Sequence, residues 1–188
     1  LVTAFEPFDS TGINSALEVL RRLELPWLKT AVLPVSYRRA PEALSALIDK
    51  ERPDFVVSLG QAGGETTVRL EKVALNYTCA SVPDNDGVLL RCGAVVPDAP
   101  DAIFTGAEIE MLIDRLSAAH PVKLSLSAGS YVCNAVYYTA LYRNSARALF
   151  VHLPYCQGQG EPSVPTEEMA STVRALLTLL HTPEAPKL

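Results

Sequence analysis

The chain has 188 residues, 48% hydrophobic and 20% charged, which is enough apolar material to bury the core of one compact domain. Sixteen basic residues against 21 acidic ones give a net charge of −5. Polyanion binding needs basic residues clustered on one face, and the sequence shows no such cluster. No apolar run approaches the roughly 18 residues that span a bilayer. We therefore predict a single domain over residues 1–188, with no nucleic-acid partner and no membrane partner.

Short β-rich runs alternate with helical periods in the first third of the chain, as is typical of layered α/β folds. Asn14 or Ser15 begins the first predicted helix, and the third predicted strand stops at Gly60. In chain order we predict a strand at 1–5, a turn-rich segment at 6–12, a helix to residue 23, a strand at 29–35, a helix at 41–50 and a strand at 55–59.

The middle of the chain alternates as one long strand over 66–77, and a strong turn signal follows at 83–87. We interpret this region as a hairpin inserted into the layered fold. The remaining predictions are a helix at 103–118, a strand at 122–126, a helix at 132–143, a strand at 148–153 and a helix at 166–180. The expected architecture is a three-layer α/β/α sandwich around a mixed, mostly parallel central sheet with an inserted hairpin.

The cysteines are Cys79, Cys92, Cys133 and Cys156, and their spacing matches neither a disulfide framework nor a zinc motif. We predict reduced thiols, a cytoplasmic location, no metal and no cofactor. No secretory signal pattern is visible, although the chain starts at Leu1 within a strand pattern. An oxidative link between Cys133 and Cys156 is a weaker hypothesis than a buried, unlinked Cys156.

Cys133 follows a strand and a run of small residues at 127–130, so it falls in or near the first turn of a helix. Backbone N–H groups and the helix dipole there favour a thiolate and lower the pKa of a thiol. The same N–H groups could stabilise an oxyanion. The residue types thus allow either a nucleophile or an ordinary core cysteine.

A thiol nucleophile needs a base, and of the three histidines only His152 stands at the end of a hydrophobic strand. Ligands and catalytic groups of open α/β sheets gather beyond the carboxyl ends of strands. Glu71, within an apolar alternating segment, is the candidate carboxylate to orient it, because a carboxylate there must be paired or face solvent. The alternatives are a packed histidine and a solvent-exposed Glu71.

Six ordered blocks span nearly the whole chain: TAFEPF (3–8), GQAGG (60–64), LEKVALN (70–76), VPDNDG (82–87), AGSYVCN (128–134) and VHLPY (151–155). Together they resemble the pyroglutamyl peptidase I (pyrrolidone-carboxylate peptidase) family of cysteine peptidases. The resemblance implies that Cys133 is the nucleophile, His152 the general base and acid, and Glu71 the group that orients the imidazole. The implied reaction removes N-terminal pyroglutamate from peptides through an acyl-enzyme.

The resemblance also implies the substrate contacts and the assembly. Phe5 and Phe8 match aromatic residues that hold the lactam ring, Asn14 and Gln61 match polar pocket positions, and Val132 completes the predicted substrate site. Without the resemblance, core packing is the simpler interpretation of the two phenylalanines. Family members often form tetramers, so we expect a homotetramer with a pyroglutamyl peptide as substrate.

The sequence departs from the family pattern at several positions. Glu65 stands where the family usually has Arg, Ala4 and the pair at 9–10 replace glycines, and Cys79 and Ser81 replace an Asp and an Arg. Loss of an oxyanion donor can cost on the order of a hundredfold in rate. Two alternatives therefore stay open: a catalytically impaired relative that binds pyroglutamyl peptides, and a cysteine hydrolase of another small amide.

Overall fold

The computed structural model describes residues 1–8, 12–144 and 147–182. Within these ranges, eight strands and five helices follow one another. In chain order they are β1 (Val2–Phe5), α1 (Ser15–Leu20), β2 (Thr30–Leu33), α2 (Arg39–Glu51), β3 (Val56–Gln61), β4 (Val68–Glu71), β5 (Val73–Leu75), β6 (Ala102–Phe104), α3 (Ile109–Leu116), β7 (Val122–Ser125), α4 (Val132–Arg143), β8 (Ala148–Leu153) and α5 (Thr166–His181). The predicted turn through Asp9 and Ser10 lies outside the described residues.

Six strands form the central sheet in the order β2-β1-β3-β8-β4-β7. The strands β2, β1, β3 and β8 run parallel, whereas β4 runs antiparallel to β8 and parallel to β7. Every residue of β8 is buried, as expected for a central strand covered on both faces. The predicted mixed, mostly parallel sheet is confirmed.

Helices cover both faces of this sheet. The first face carries α1, α3 and α5, whose apolar residues share one core cluster with residues such as Leu59 and Val151. The second face carries α2 and α4, which pack with Phe5 and Phe150 in a separate cluster. This is the predicted three-layer sandwich, with α4 held against the second face. No helix among the described residues is both long and apolar enough to cross a membrane.

The stretch predicted as one strand over 66–77 divides at Lys72. The strand β4 ends at Glu71 in the central sheet, and β5 begins at Val73 and pairs with β6 in a separate two-stranded sheet. Lys72 links the two sheets, since its N–H donates to the Ser125 carbonyl and its own carbonyl accepts from the Thr105 N–H. The inserted hairpin is thus the β5–β6 pair, joined by a long segment at 76–101.

The predicted helix over 103–118 is wrong at its start. Ile103 lies in β6, and α3 begins only at Ile109. Ile103 packs against the cluster that contains α4 while its backbone pairs with Ala74 of β5. Tertiary pairing therefore overrides a local apolar period that also suits a helix.

A disulfide joins Cys79 and Cys92 within the 76–101 segment, so the prediction of four reduced cysteines is wrong for this pair. The bond lies beside an isolated bridge in which Thr78 and Gly93 exchange backbone hydrogen bonds of 2.8 and 2.9 Å. Ser130 Oγ donates to the Cys79 carbonyl at 2.8 Å, and the Cys79 N–H donates to the Ser130 carbonyl at 3.1 Å. The cross-linked segment is therefore attached to the residues that lead into α4.

Candidate active site

Cys133 is the second residue of α4, as the small residues before it predicted. Gly129 has a φ of 82°, a left-handed conformation that favours glycine, where the chain approaches the helix. The first N–H groups of an α-helix have no partner inside the helix. Val132 and Cys133 therefore present backbone donors at a point where the helix dipole also favours negative charge.

The sulfur of Cys133 lies against the backbone of Gly60, near the end of β3. A Cβ added to Gly60 would come 3.2 Å from Cys133 Sγ and 2.7 Å from the Phe150 ring, so this position has no room for a side chain. Gly60 pairs with His152 across the β3–β8 ladder. Paired residues on neighbouring strands project to one face of a sheet. The ladder therefore brings His152 to the side of the sheet on which the sulfur lies.

His152 and Glu71 form a buried hydrogen-bonded pair, with 2.7 Å between His152 Nδ1 and Glu71 Oε1. Glu71 is fully buried, so the alternative of a solvent-exposed carboxylate is wrong. Because β4 runs opposite to β8, Glu71 pairs with Phe150 and lies deeper in the sheet than His152. A carboxylate only accepts hydrogen bonds, so Nδ1 carries the proton and Nε2 remains for proton exchange.

The predicted pocket residues and two predicted catalytic residues line one cavity of about 170 Å³: Phe5, Phe8, Asn14, Gln61, Val132, Cys133 and His152. This volume lies below the roughly 300–1,000 Å³ of pockets for drug-sized ligands, so the cavity suits a small ring. A larger cavity of about 470 Å³ borders Leu1 and Trp27, and no predicted site residue lines it. The smaller cavity is therefore the candidate active site.

The two phenylalanines differ in their surroundings. Phe5 is 3% exposed and packs on Phe150 with 6.4 Å between ring centroids, so it belongs both to the core and to the cavity wall. Phe8 is 44% exposed, which core packing does not explain. An exposed aromatic side chain at the mouth of a small cavity is suited to cover a flat ring.

Asn14 and Gln61 hold the wall of the cavity together. Asn14 Oδ1 accepts from the Ala16 N–H and caps α1, while its Nδ2 donates to the Glu6 carbonyl at 3.1 Å. Gln61 Oε1 accepts from the Ser15 N–H at 2.9 Å and from Gln159 Nε2. These bonds tie the start of α1 to the end of β3 and thereby fix the shape of the cavity.

The sequence matches the family model for pyroglutamyl peptidase over residues 1–180. The chain belongs to the pyroglutamyl peptidase family. The pyrrolidone-carboxylate peptidase of Erwinia tasmaniensis is 36% identical to it, in an alignment covering 94% of this chain and 88% of that protein. The pyrrolidone-carboxylate peptidase of Alkaliphilus oremlandii is 33% identical, in an alignment covering 96% of this chain and 91% of that protein.

Solved structures extend the likeness to the fold. The pyrrolidone carboxyl peptidase from Fervidobacterium islandicum AW-1 superposes with a TM-score of 0.88 at 34% identity, covering 95% of this chain and 96% of that one. The enzyme of the same name from Thermus thermophilus has a TM-score of 0.87 at 36% identity, with coverages of 94% and 97%. The three-layer architecture described above is thus that of the pyroglutamyl peptidase family.

The thiol of Cys133 ionises less readily than its place at a helix N-terminus predicted. Burial and, next, the negative charge of Glu71 raise the pKa of this thiol to about 12. Its own backbone N–H and the charge of Arg69 lower this pKa by less. Desolvation and the nearby carboxylate of Glu71 therefore favour the neutral thiol form of Cys133 over the thiolate.

Three departures from the family pattern have structural counterparts here. Glu65 forms ion pairs with Lys123 and Arg69, Cys79 belongs to the disulfide, and Ala4 is a fully buried residue of β1. Neither Lys nor Arg occurs among the described residues that line the cavity. The oxyanion donors at hand are accordingly the backbone N–H groups at the start of α4.

The sequence prediction missed part of the cavity wall. Val35 and residues 128–131 also line it, and only the motif around Cys133 could have indicated the latter. Cys156, in contrast, is buried on the other face of the sheet from Cys133, and its thiol donates to Gln159 Oε1 at 3.1 Å. This arrangement supports an unlinked Cys156. The described residues contain no group of three or more His, Cys, Asp or Glu side chains that could hold a metal ion.

Proposed function

We propose that this chain is a cysteine exopeptidase that removes N-terminal pyroglutamate from peptides through a thioester acyl-enzyme. One observation carries the proposal: Cys133 and His152 line the same small cavity, and Glu71 holds the far side of the imidazole, in a chain of the pyroglutamyl peptidase family. A non-catalytic binding module has no need of a buried carboxylate bonded to a histidine beside a thiol. The impaired relative is therefore the less favoured alternative.

The reaction begins with the neutral thiol of Cys133. His152 Nε2 accepts the thiol proton while Sγ attacks the pyroglutamyl carbonyl carbon, and the backbone N–H of Cys133 donates to the oxyanion that forms. Glu71 stabilises the imidazolium through the Nδ1 hydrogen bond. When the C–N bond breaks, Nε2 returns its proton to the departing amine. The pyroglutamyl group stays on sulfur as a thioester.

The second half of the reaction uses the same groups in reverse. His152 Nε2 accepts a proton from a water molecule, whose oxygen attacks the thioester carbonyl. The C–S bond then breaks, and the proton on Nε2 returns to the sulfur. Free pyroglutamate leaves, and the thiol of Cys133 is restored.

Substrate selection follows from the charge of the cavity. The lactam ring is uncharged and flat, and we propose that Phe5, Phe8 and Val132 contact its faces while Asn14 and Gln61 keep the wall in place. No carboxylate occurs among the described residues of the cavity lining. The ammonium group of N-terminal glutamate or glutamine would enter without a counter-charge, which the site disfavours.

Hydrolysis of a fluorogenic pyroglutamyl amide, beside the glutaminyl and prolyl amides, tests this proposal. We expect turnover of the pyroglutamyl amide alone, its loss in Cys133→Ala and its retention in Cys156→Ser, the matched variant of the other free cysteine. Turnover that survives Cys133→Ala would refute the nucleophile. Cleavage of other amides without the pyroglutamyl one would instead favour a hydrolase of another small amide.

The single domain over 1–188, the cytoplasmic location and the homotetramer are further parts of the proposal. A reducing cytoplasm keeps Cys133 as a thiol, which supports the proposed location. The exposed side chains of Val82, Val88 and Leu89 provide apolar surface for the proposed assembly. The Cys79–Cys92 bond tests the location, because disulfides are rare in that compartment. Alkylation of free thiols in freshly lysed cells measures the oxidation of Cys79 and Cys92, and a fully oxidised pair would exclude the cytoplasm. Light scattering measures the molar mass of the assembly and so tests the homotetramer.

A further inference from the structure

Four strands place four residues in one row across the second face of the sheet. Lys123 of β7 pairs with Arg69 of β4, Arg69 pairs with His152 of β8, and His152 pairs with Gly60 of β3. Paired residues share a face, so Arg69 is the neighbour of His152 on the side away from the sulfur, and Lys123 lies one strand further along the row. Neither cation lines the active-site cavity. Any effect of theirs on the reaction is therefore exerted through their charge and through the residues that they contact.

Glu65 fixes the two cations. Its Oε1 accepts from Arg69 Nη1 at 3.3 Å, and its other oxygen forms an ion pair with Lys123 Nζ. Lys123 and Arg69 lower the pKa of the Glu65 carboxyl, so this group is ionised and attractive to both. The side chain of Arg69 is only 25% exposed, which limits how far solvent screens its charge. Glu65 thus holds the guanidinium in one place.

Arg69 also reaches the buried carboxylate. Its Nε lies 3.9 Å from Glu71 Oε1, the oxygen that bonds to His152. The second oxygen, Oε2, is buried and has no hydrogen-bond partner among the described residues. A buried carboxylate with one unpaired oxygen is costly unless a nearby cation compensates its charge. Within the described residues, Arg69 is the one Arg or Lys paired with Glu71.

We propose that Arg69 is a positioning residue for the Glu71–His152 pair, and that Glu65 acts as its clamp. Arg69 compensates the buried charge of Glu71 and keeps the carboxylate oriented with Oε1 toward Nδ1. The proposal rests on the proposed function, because it assigns a role in that same reaction. It also gives Glu65, which stands where the family usually has Arg, a task of its own in this chain.

Arg69→Gln tests the role by removing the charge. We expect kcat to fall about tenfold and KM to stay within twofold, since Arg69 lies outside the cavity that binds substrate. Arg69→Lys restores the charge and should recover most of kcat. Arg143→Gln is the matched control, because it breaks an exposed ion pair with Asp49 and should leave kcat within twofold.

The reactivity of Cys133 supplies a readout that a merely structural residue would not move. Among the groups near the sulfur, Glu71 raises the pKa of the thiol and Arg69 lowers it, while Tyr37 and Tyr131 have raised pKa values and stay neutral at pH 8. Loss of the cation therefore leaves less thiolate at a given pH. We expect Arg69→Gln to slow the alkylation of Cys133 by iodoacetamide about threefold at pH 8. Mass spectrometry of the peptide that carries Cys133 measures this rate.

Glu65→Gln tests the clamp. We expect about a threefold loss of kcat, and no further loss when it is combined with Arg69→Gln, because Glu65 acts through Arg69. Additive losses would overturn the clamp. A folded Arg69→Gln that matches the unsubstituted chain in kcat and in alkylation would overturn the positioning role. Should Arg69→Gln fail to fold, Glu65→Gln carries the comparison, because it removes the group that holds Arg69, and an unchanged kcat in that variant would overturn the proposal.

Failure of the proposed function looks different from failure of this inference. If the unsubstituted chain does not hydrolyse pyroglutamyl amides, the peptidase activity is wrong for this chain. The alkylation series needs no turnover and still decides whether the charge of Arg69 is transmitted to the site. Unchanged alkylation in Arg69→Gln overturns the inference in that case as well.

Discussion

Replacing Glu71 with Gln removes a buried charge while keeping the shape of the side chain. In the proposed reaction, Glu71 and the imidazolium of His152 become a charged pair joined by a 2.7 Å hydrogen bond. Two unit charges about 4 Å apart interact by about 4 kcal/mol at an effective dielectric constant of about 20. At 1.36 kcal/mol for each tenfold change in rate, loss of this interaction lowers kcat about a thousandfold.

Hydrolysis of the fluorogenic pyroglutamyl amide measures this loss, with circular dichroism to confirm that the variant is folded. Glu110→Gln is the matched control, because Glu110 is exposed and pairs with Lys72 on the surface. We expect the control to keep kcat within twofold. A folded Glu71→Gln variant that loses less than tenfold would refute the role of Glu71 in stabilising the imidazolium.

Three further predictions follow from the geometry. Gly60→Ala should destabilise the fold by about 1–3 kcal/mol and lower kcat, because the added methyl group overlaps the neighbouring ring and crowds the sulfur; thermal unfolding and turnover measure both. Replacing Cys79 and Cys92 with Ser should lower the free energy of unfolding in urea by about 3 kcal/mol, the value for a loop of about 15 residues. Alkylation of Cys133 should accelerate about tenfold for each pH unit between roughly pH 7 and 10, because a thiol pKa of about 12 keeps the thiolate fraction small but growing.

Each of these predictions has its own control. Gly93→Ala places a Cβ no closer than 3.9 Å to its neighbours, and equal effects at Gly60 and Gly93 would contradict the overlap. Unchanged urea midpoints with and without Cys79 and Cys92 would contradict the contribution of the disulfide. A plateau of the alkylation rate below pH 9 would mean that burial and Glu71 do not raise the pKa of the Cys133 thiol.

Much of the fold follows from the sequence because apolar periodicity reflects burial directly. The bounds predicted for the helix at Val132–Arg143 and the strand at Ala148–Leu153 are those observed. The motifs then placed Cys133 and His152 at the ends of these elements. Their shared cavity was within reach of sequence reasoning, because the carboxyl ends of parallel strands meet at one edge of a sheet.

Other features depend on which segments become neighbours, and a single sequence does not contain that information. The break at Lys72 is invisible in an alternating run, since both halves alternate but join different sheets. The helix N-terminus, which the sequence shows, favours a lowered pKa for the Cys133 thiol, whereas the desolvation and the charge of Glu71 that raise this pKa depend on tertiary neighbours. The place of Arg69 beside His152 depends on the antiparallel register of β4, which strand patterns do not specify.

The long sequence separation between the strands that form the site has a consequence for how activity appears during folding. Glu71 and His152 are 81 residues apart in the chain, and β3 pairs with β8 across an even longer separation. Pairings between distant segments form slowly, because chain entropy is lost before contacts are gained. Recovery of turnover on refolding therefore reports the last long-range pairings, well after helical signal has returned.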